Sequence, residues 1–406
     1  MISSKEALKA LARDASLKPQ EEMLEVKRSG KRLQIGIPRE SSYQENRVAI
    51  VPDAVAVLVS NGHEVIVECG AGKNSHFEDR LYSEAGAKIA YERKEVFQSE
   101  LILKVAPPSH EEIALMGHKV TLFSALQLSV QPRDTLKRLM DKKVSAIAWD
   151  YIQDEEEIHT VVRAMGEIAG NAAVVIGAEY LSKGGGGQGL MLGGISGVAP
   201  SEVVIIGAGT VAEYATRAAL GLGALVKVFD FSIYRLRRLQ NAINQRVFTS
   251  VIQPEELRRA LQQADVVIGA LRNVNGRTPT VVTESMVQEM KEGSVIVDIS
   301  IDKGGCFETS EVTNHSNPVF IKHGVLHYCV PNVASRVSRT ASIALSNVFT
   351  PILLEIGKEG GCASLIKKDS GFRHGVYLYN GILTNESLGE AFNLPYKDID
   401  LLFAAF

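Results

Sequence analysis

The residues whose types and spacing best suit chemistry lie in EVVIIGAGTVAEYA, residues 202–215. Gly207, Gly209 and Ala212 form a Gly-x-Gly-x-x-Ala pattern directly after an apolar run and at the opening of a helical segment. Such a pattern suits a dinucleotide. Gly207 permits the tight turn, Gly209 lets backbone N–H groups approach a pyrophosphate, and Ala212 allows close helix–strand packing. The helix would then turn its positive end to the phosphates. Asp230 closes the next apolar run, VKVFD, 21 residues after Gly209. That is where an acid takes the adenosine ribose hydroxyls and repels a 2′-phosphate, so NAD is expected over NADP. Arg235, Arg237 and Arg238 follow and weaken that preference, unless they form a solvated helix face.

These residues need a scaffold, and the pattern around them describes one. LQIGIP (33–38), HEVIVECG (63–70), SELILKV (99–105), KVTLFSAL (119–126) and KVSAIAWDY (143–151) read as strands separated by helical spacing. A long helical stretch at 159–183 and a glycine cluster, GGGGQG (184–189), read as a surface loop, come next. Then a second alternating series runs through EVVII, ADVVIGA, SVIVDIS and GVLHYCV. Alternating strands and helices predict parallel sheets covered on both faces. The expected fold is α/β, with two doubly wound Rossmann-like domains and a cleft between them. Residues 1–32 form an N-terminal extension. Residues 33–160 plus 339–406 form the substrate domain, which is discontinuous, and 161–338 the dinucleotide-binding domain. The apolar segment 340–360 returns to the first domain as a helix, kinked at Pro351.

Composition narrows the function classes. The chain has 406 residues, 45% hydrophobic and 22% charged, with a net charge of −3. It carries no basic excess to neutralise phosphates, so nucleic-acid binding is not expected. Cys69, Cys306, Cys329 and Cys362 are far apart, with no Cys-x-x-Cys pair to suggest zinc. No signal-peptide core and no run of 18 uncharged apolar residues is found, so a cytoplasmic protein without a membrane span is expected. His323 and His327 fall on a strand reading, which separates them too far for a metal pair.

From Leu33 to the end the chain resembles the alanine dehydrogenase / transhydrogenase domain I family. The resemblance rests on GIPRESSYQENRVAIVP, GHEVIVECGAG, AMGEIAGNAAV, GGISGVAPSEVVIIGAG, VDISIDKGGCFETS and HYCVPNVASRVSRTAS, in the family's order and spacing. IDKGGC and YCVPN are similar to alanine dehydrogenase in particular. The resemblance implies NAD-dependent oxidative deamination of a small L-amino acid, with L-alanine expected, to a 2-oxo acid and ammonia. It also implies a homo-oligomer. By the same resemblance, Arg47 matches the substrate-carboxylate arginine and Asp302 the active-site aspartate. Asn332 matches an asparagine near the nicotinamide, and Met165 lies in a segment lining the same cleft. Taken as residues alone, Arg47 also reads as a salt-bridging arginine and Asp302 as a loop cap.

Two positions depart from the family pattern. The family's functional lysine is replaced by Ala106, in Lys104-Val105-Ala106-Pro107-Pro108, and its substrate-facing histidine by Gln127. Gln127 can hydrogen-bond a substrate oxygen but cannot transfer a proton at neutral pH. Lys104 leaves the same strand face as Ala106, about 6.6 Å away, so it is either a catalytic replacement or a strand-end ion pair. The departures leave two alternatives open. One is a related dehydrogenase for a different 2-amino or 2-oxo acid. The other is a dinucleotide-binding module like transhydrogenase domain I, without amino-acid activity.

Overall fold

The computed structural model describes residues 30–42, 44–126, 133–272 and 277–404. Two sheets organise them. The first runs β15-β14-β6-β5-β4-β1-β2-β3, from β1 (Gln34–Ile37), β2 (Glu64–Glu68), β3 (Lys88–Ala90), β4 (Leu101–Leu103), β5 (Thr121–Ser124), β6 (Ser145–Ala148), β14 (Val376–Tyr379) and β15 (Ile382–Leu383). The second runs β12-β13-β11-β10-β7-β8-β9, from β7 (Glu202–Ile206), β8 (Leu225–Asp230), β9 (Phe248–Val251), β10 (Val266–Gly269), β11 (Val295–Asp298), β12 (Val319–Lys322) and β13 (Val325–Tyr328). Only β12, β14 and β15 pair antiparallel. The parallel strands are buried on both faces, which explains continuous apolar runs such as VVIG and VIVD in place of alternation. Each sheet reverses direction once, between β1 and β4 and between β7 and β10. Ligands collect at such switch points, beyond the carboxyl ends of the strands.

Four helices matter for the site. They are α1 (Pro52–Ser60), α2 (Thr160–Leu181), α3 (Thr210–Gly221) and α4 (Ser338–Lys358). The crossover helix α2 packs on α3, and Gly170 makes that approach possible. A Cβ there would lie 2.4 Å from the Val211 carbonyl oxygen and 2.9 Å from the Ala215 nitrogen. Helix α4 packs on both α1 and α2. The region Val333–Lys358 and α2 are long and apolar enough to cross a membrane by length and composition. Here α2 buries Ala173, Val174 and Ile176, and α4 buries Leu345, Phe349 and Leu353. Helix α4 runs on through Pro351, since packing on both sides of the proline holds it.

Several local readings differ from the structure. The glycine cluster is a closed turn against the end of α2: Gly187 N–H donates to the Ser182 carbonyl, and a Cβ on Gly187 would lie 2.3 Å from the Tyr180 oxygen. Close backbone approach, not looseness, is what demands glycine there. Strand β6 stops at Ala148, and Trp149–Tyr151 turn away, with Trp149 packed edge-on to Phe349. Strands β9, β12, β14 and β15 lie outside the runs read as strands from sequence. Of the N-terminal extension 1–32, residues 1–29 lie outside the described residues, as does Gln127.

Candidate active site

The segment after β1 carries Glu40, Glu45 and Arg47 out of the first sheet's switch point. Its backbone is fastened by α4. Val48 N–H donates to Ser342 Oγ at 2.9 Å and Val51 N–H to Ser346 Oγ at 3.2 Å. These serines face inward on a largely apolar helix, and the backbone groups they satisfy explain why.

Arg47 is buried and forks onto Glu45. Its Nε donates to Glu45 Oε1 at 2.8 Å and its Nη2 to Oε2 at 2.7 Å. Arg47 Nη1 lies 3.4 Å from Met165 Sδ on α2. Burial opposes both charges. The pair outweighs it, so the Glu45 carboxyl lies below its ordinary range and the Arg47 guanidinium above. Glu45 Oε2 also accepts from Asn332 Nδ2 at 2.7 Å, and Oε1 from Ser335 Oγ at 3.3 Å. Asn332 adopts the left-handed region (φ 57°), which asparagine tolerates. Its backbone N–H then donates to Asp302 Oδ1 at 2.9 Å. An unbroken path therefore runs Met165–Arg47–Glu45–Asn332–Asp302 across the junction of the two halves.

Asp302 follows β11 in a short 3-10 turn, Ile299–Lys303. Solvent reaches it on one side, yet the surrounding protein raises its carboxyl, opposed by the Asn332 bond, Arg47 and Arg272. Below it, buried Asp298 holds the turn in shape. It accepts from Ser300 N–H at 3.0 Å, Cys306 N–H at 3.1 Å and Ser310 Oγ at 2.7 Å. Burial pushes the Asp298 carboxyl up to about 6.

Lys104 directly follows β4. Its side chain is 0% exposed, and its ammonium sits 2.7 Å from Glu40 Oε2 and 3.4 Å from Glu112 Oε2. Burial opposes its charge, and the two carboxylates outweigh it. Glu40 also accepts from Val105 and Ala106 N–H, so one carboxylate seals the end of β4. A lysine on a buried strand end had no other route to satisfy its charge. Of the two readings of Lys104, the structure shows the ion pair. Sequence reasoning missed Glu40 and Glu45; both lie inside the quoted GIPRESSYQENRVAIVP, but an acid near an arginine reads as surface charge until the fold buries it.

At the second switch point, Gly207 takes φ 124°, and a Cβ there would lie 2.5 Å from the Ala270 oxygen. Gly209 caps the start of α3, and the space where its Cβ would stand holds no heavy atom within 4 Å. Ala212 is fully buried against the sheet. This turn fits a pyrophosphate: an open cradle at a helix N-terminus with free N–H groups. Asp230 is 2% exposed and braces the turn, Oδ2 accepting from Ala208 N–H at 2.7 Å and Oδ1 from Ser232 N–H at 2.8 Å. A carboxylate has about four acceptor sites, so two remain for ribose hydroxyls.

Other sequence candidates have structural partners. Arg336 pairs with Glu179, and Arg339 donates to the His76 carbonyl at 2.6 Å. His327 is buried on Thr309, while His323 pairs with Glu284. Among the described residues no group of three or more His, Cys, Asp or Glu could hold a metal ion. A surface hollow of about 440 Å³ lined by Gln34, Glu64, Lys88 and Glu95 lies at the amino ends of β1–β3, away from these residues.

Comparisons with known proteins agree with this architecture. Residues 36–169 match the family described as alanine dehydrogenase/PNT, N-terminal domain, and residues 173–386 its C-terminal domain. Alanine dehydrogenase 2 of Staphylococcus aureus strains Mu50 and N315 is 39% identical over 369 residues, covering 91% of this chain and 99% of that protein. A solved L-alanine dehydrogenase superposes with a TM-score of 0.84 at 34% identity, covering 89% of this chain and 99% of that one. A transhydrogenase from Sinorhizobium meliloti shares the fold, with a TM-score of 0.74 at 23% identity over 87% of this chain and 99% of that one. Two matched domains in order, together with a relative aligned end to end, place this chain in the alanine dehydrogenase/PNT family.

Proposed function

We propose that this chain is a cytoplasmic, NAD-dependent amino-acid dehydrogenase. It oxidises a small L-amino acid, with L-alanine the first expectation, to a 2-oxo acid and ammonia. The observation that carries this reading is the hydrogen-bonded path from Arg47 through Glu45 and Asn332 to Asp302, beside the glycine turn. The remaining Nη edge of Arg47 holds the substrate carboxylate, and Glu45 fixes the guanidinium so that little ordering is needed on binding. Asn332 aims the Asp302 carboxyl. Asp302 moves the proton to or from water and ammonia at the imine carbon, and its raised pKa suits that work. A nicotinamide cofactor, when bound, supplies the hydride chemistry. Gly207, Gly209 and Ala212 form its cradle, and Asp230 favours a ribose without a 2′-phosphate. A homo-oligomer is part of the same proposal.

One observation favours a second reading. Position 106 is alanine and Lys104 is consumed by Glu40 and Glu112. Neither position 104 nor position 106 then offers the substrate an unpaired lysine, as a different 2-amino acid or a dinucleotide-binding module would allow. The variant Asp302→Asn separates the readings. Proton transfer by Asp302 predicts a fall in turnover of about 10²–10⁴-fold with NAD affinity unchanged. Unchanged turnover would remove Asp302 from the chemistry.

A further inference from the structure

An amino-acid substrate brings an anion to a site whose first half has little charge to offer it. Arg47 is neutralised by Glu45, and Lys104 faces two carboxylates, Glu40 and Glu112. Asp302 adds a further acid. A carboxylate entering this space meets a balance that is neutral to negative, unless a cation arrives from the other half.

The fold supplies one. Arg272 stands three residues beyond β10, at the point where the second sheet reverses direction. The chain leading to it is fixed on both sides. Ala270 lies against the Gly207 turn, and the Leu271 carbonyl accepts from Ser300 Oγ at 2.8 Å, two residues before Asp302. Arg272 is therefore set between the dinucleotide turn and the Asp302 turn. Its charge acts on Asp302 of its own half and on Asp150, Tyr151 and His159 of the opposite side. It is exposed. No hydrogen bond or ion pair ties it among the described residues, in contrast to Arg47 and Lys104. Lys303 shares this rim but has partners of its own.

We propose that Arg272 is the second cation of the substrate-carboxylate site, delivered by the dinucleotide-binding half in place of the lysine absent at position 106. A guanidinium suits this because its planar fork matches a carboxylate. Arg272 is a binding and specificity residue; proton transfer stays with Asp302. The inference rests on the dehydrogenase reading above. It adds that the substrate anion is gripped from both halves at once, so carboxylate affinity depends on their approach.

The test is calorimetric and needs no turnover. Pyruvate is titrated into the purified protein loaded with NADH, as wild type, Arg272→Met and Arg272→Lys. The expected result is pyruvate binding weakened about 10- to 100-fold in Arg272→Met and partly restored in Arg272→Lys, with NADH affinity unchanged. In the oxidative direction, KM for the amino acid rises while kcat holds. Equal pyruvate affinity in wild type and Arg272→Met overturns the proposal and leaves the dehydrogenase reading standing. A loss of NADH affinity in Arg272→Met also overturns it, by assigning the guanidinium to the dinucleotide. Wild-type protein that binds NADH but neither pyruvate nor other 2-oxo acids removes the dehydrogenase reading and this inference with it.

Discussion

Glu45 is the acceptor on which the two halves of the site converge, so Glu45→Gln is the most informative single change. Glu45 receives Arg47 Nε, Arg47 N–H and Ser335 Oγ on one oxygen, and Arg47 Nη2 and Asn332 Nδ2 on the other. Glutamine keeps the shape but offers one acceptor oxygen. With that oxygen in the Oε1 position, Arg47 Nη2 and Asn332 Nδ2 both face an NH₂ group. The Arg47 charge is also left unpaired, with 5% and 4% exposure on the two side chains. Water therefore screens this pair far less than it would an exposed one. Breaking a buried pair from one side costs about 3–5 kcal/mol. Trp149, the one tryptophan, is buried in the core around the first sheet and reports unfolding there. With a urea slope of about 2–3 kcal/mol/M, the fluorescence midpoint should fall by about 1–2.5 M. The double variant Glu45→Gln/Arg47→Met should recover much of this loss, because removing both charges is far cheaper than removing one. A midpoint unchanged in Glu45→Gln, or a double variant worse than the single, would refute the reasoning.

Three further outcomes are expected. Gly170→Ala pushes a Cβ into α3, and this overpacking should cost about 1–3 kcal/mol and loosen NAD, read by thermal unfolding and calorimetry; a raised Tm would contradict it. Asp230→Asn turns an NH₂ toward one of the N–H groups that brace the glycine turn, so NAD affinity should fall and the preference over NADP shrink; an unchanged ratio of the two dissociation constants would contradict that. Burial pulls His327 down to about 4 from 6.5, so it folds neutral and contributes about 3 kcal/mol at pH above 6.5, lost as pH falls toward 4. Asp298, pushed by burial up to about 6 from 3.8, works the other way: its cost is present above pH 6 and relieved toward 3.8. The variant His327→Gln should therefore lose less stability than wild type as pH falls from 6.5 to 4, measured by urea midpoints across that range; an equal loss in the two proteins would count against the His327 assignment.

Much of this architecture is legible in the residues. The apolar runs VVII, VVIG and VIVD announce strands buried on both faces, and a glycine pair after one of them announces a turn that must approach a ligand. Other features depend on what the fold brings together. Val376–Leu383 escaped notice although Asn380-Gly381 is a hairpin signal, with both residues at positive φ, because the strands are short and lie on an edge. Glu45 gains its role only when Asn332, 287 residues away, arrives beside it. Lys104 and Ala106 read as one strand face, but β4 ends at Leu103, and spacing does not reveal that Glu40 and Glu112 close over the lysine. Arg272 likewise acquires meaning only from strand order, which puts β10 between the dinucleotide turn and Asp302.

The proposed activity is dehydrogenation of a small amino acid by a site that has alanine at position 106 and holds Asp302 on a path from Arg47. It is tested by NADH formation from NAD and L-alanine with the purified chain, alongside the other natural amino acids and the reverse reaction with pyruvate and ammonium. NADH should form with a small L-amino acid, most strongly with L-alanine, and be consumed in reverse. NAD bound in the calorimeter with no turnover on any amino acid in either direction would contradict it.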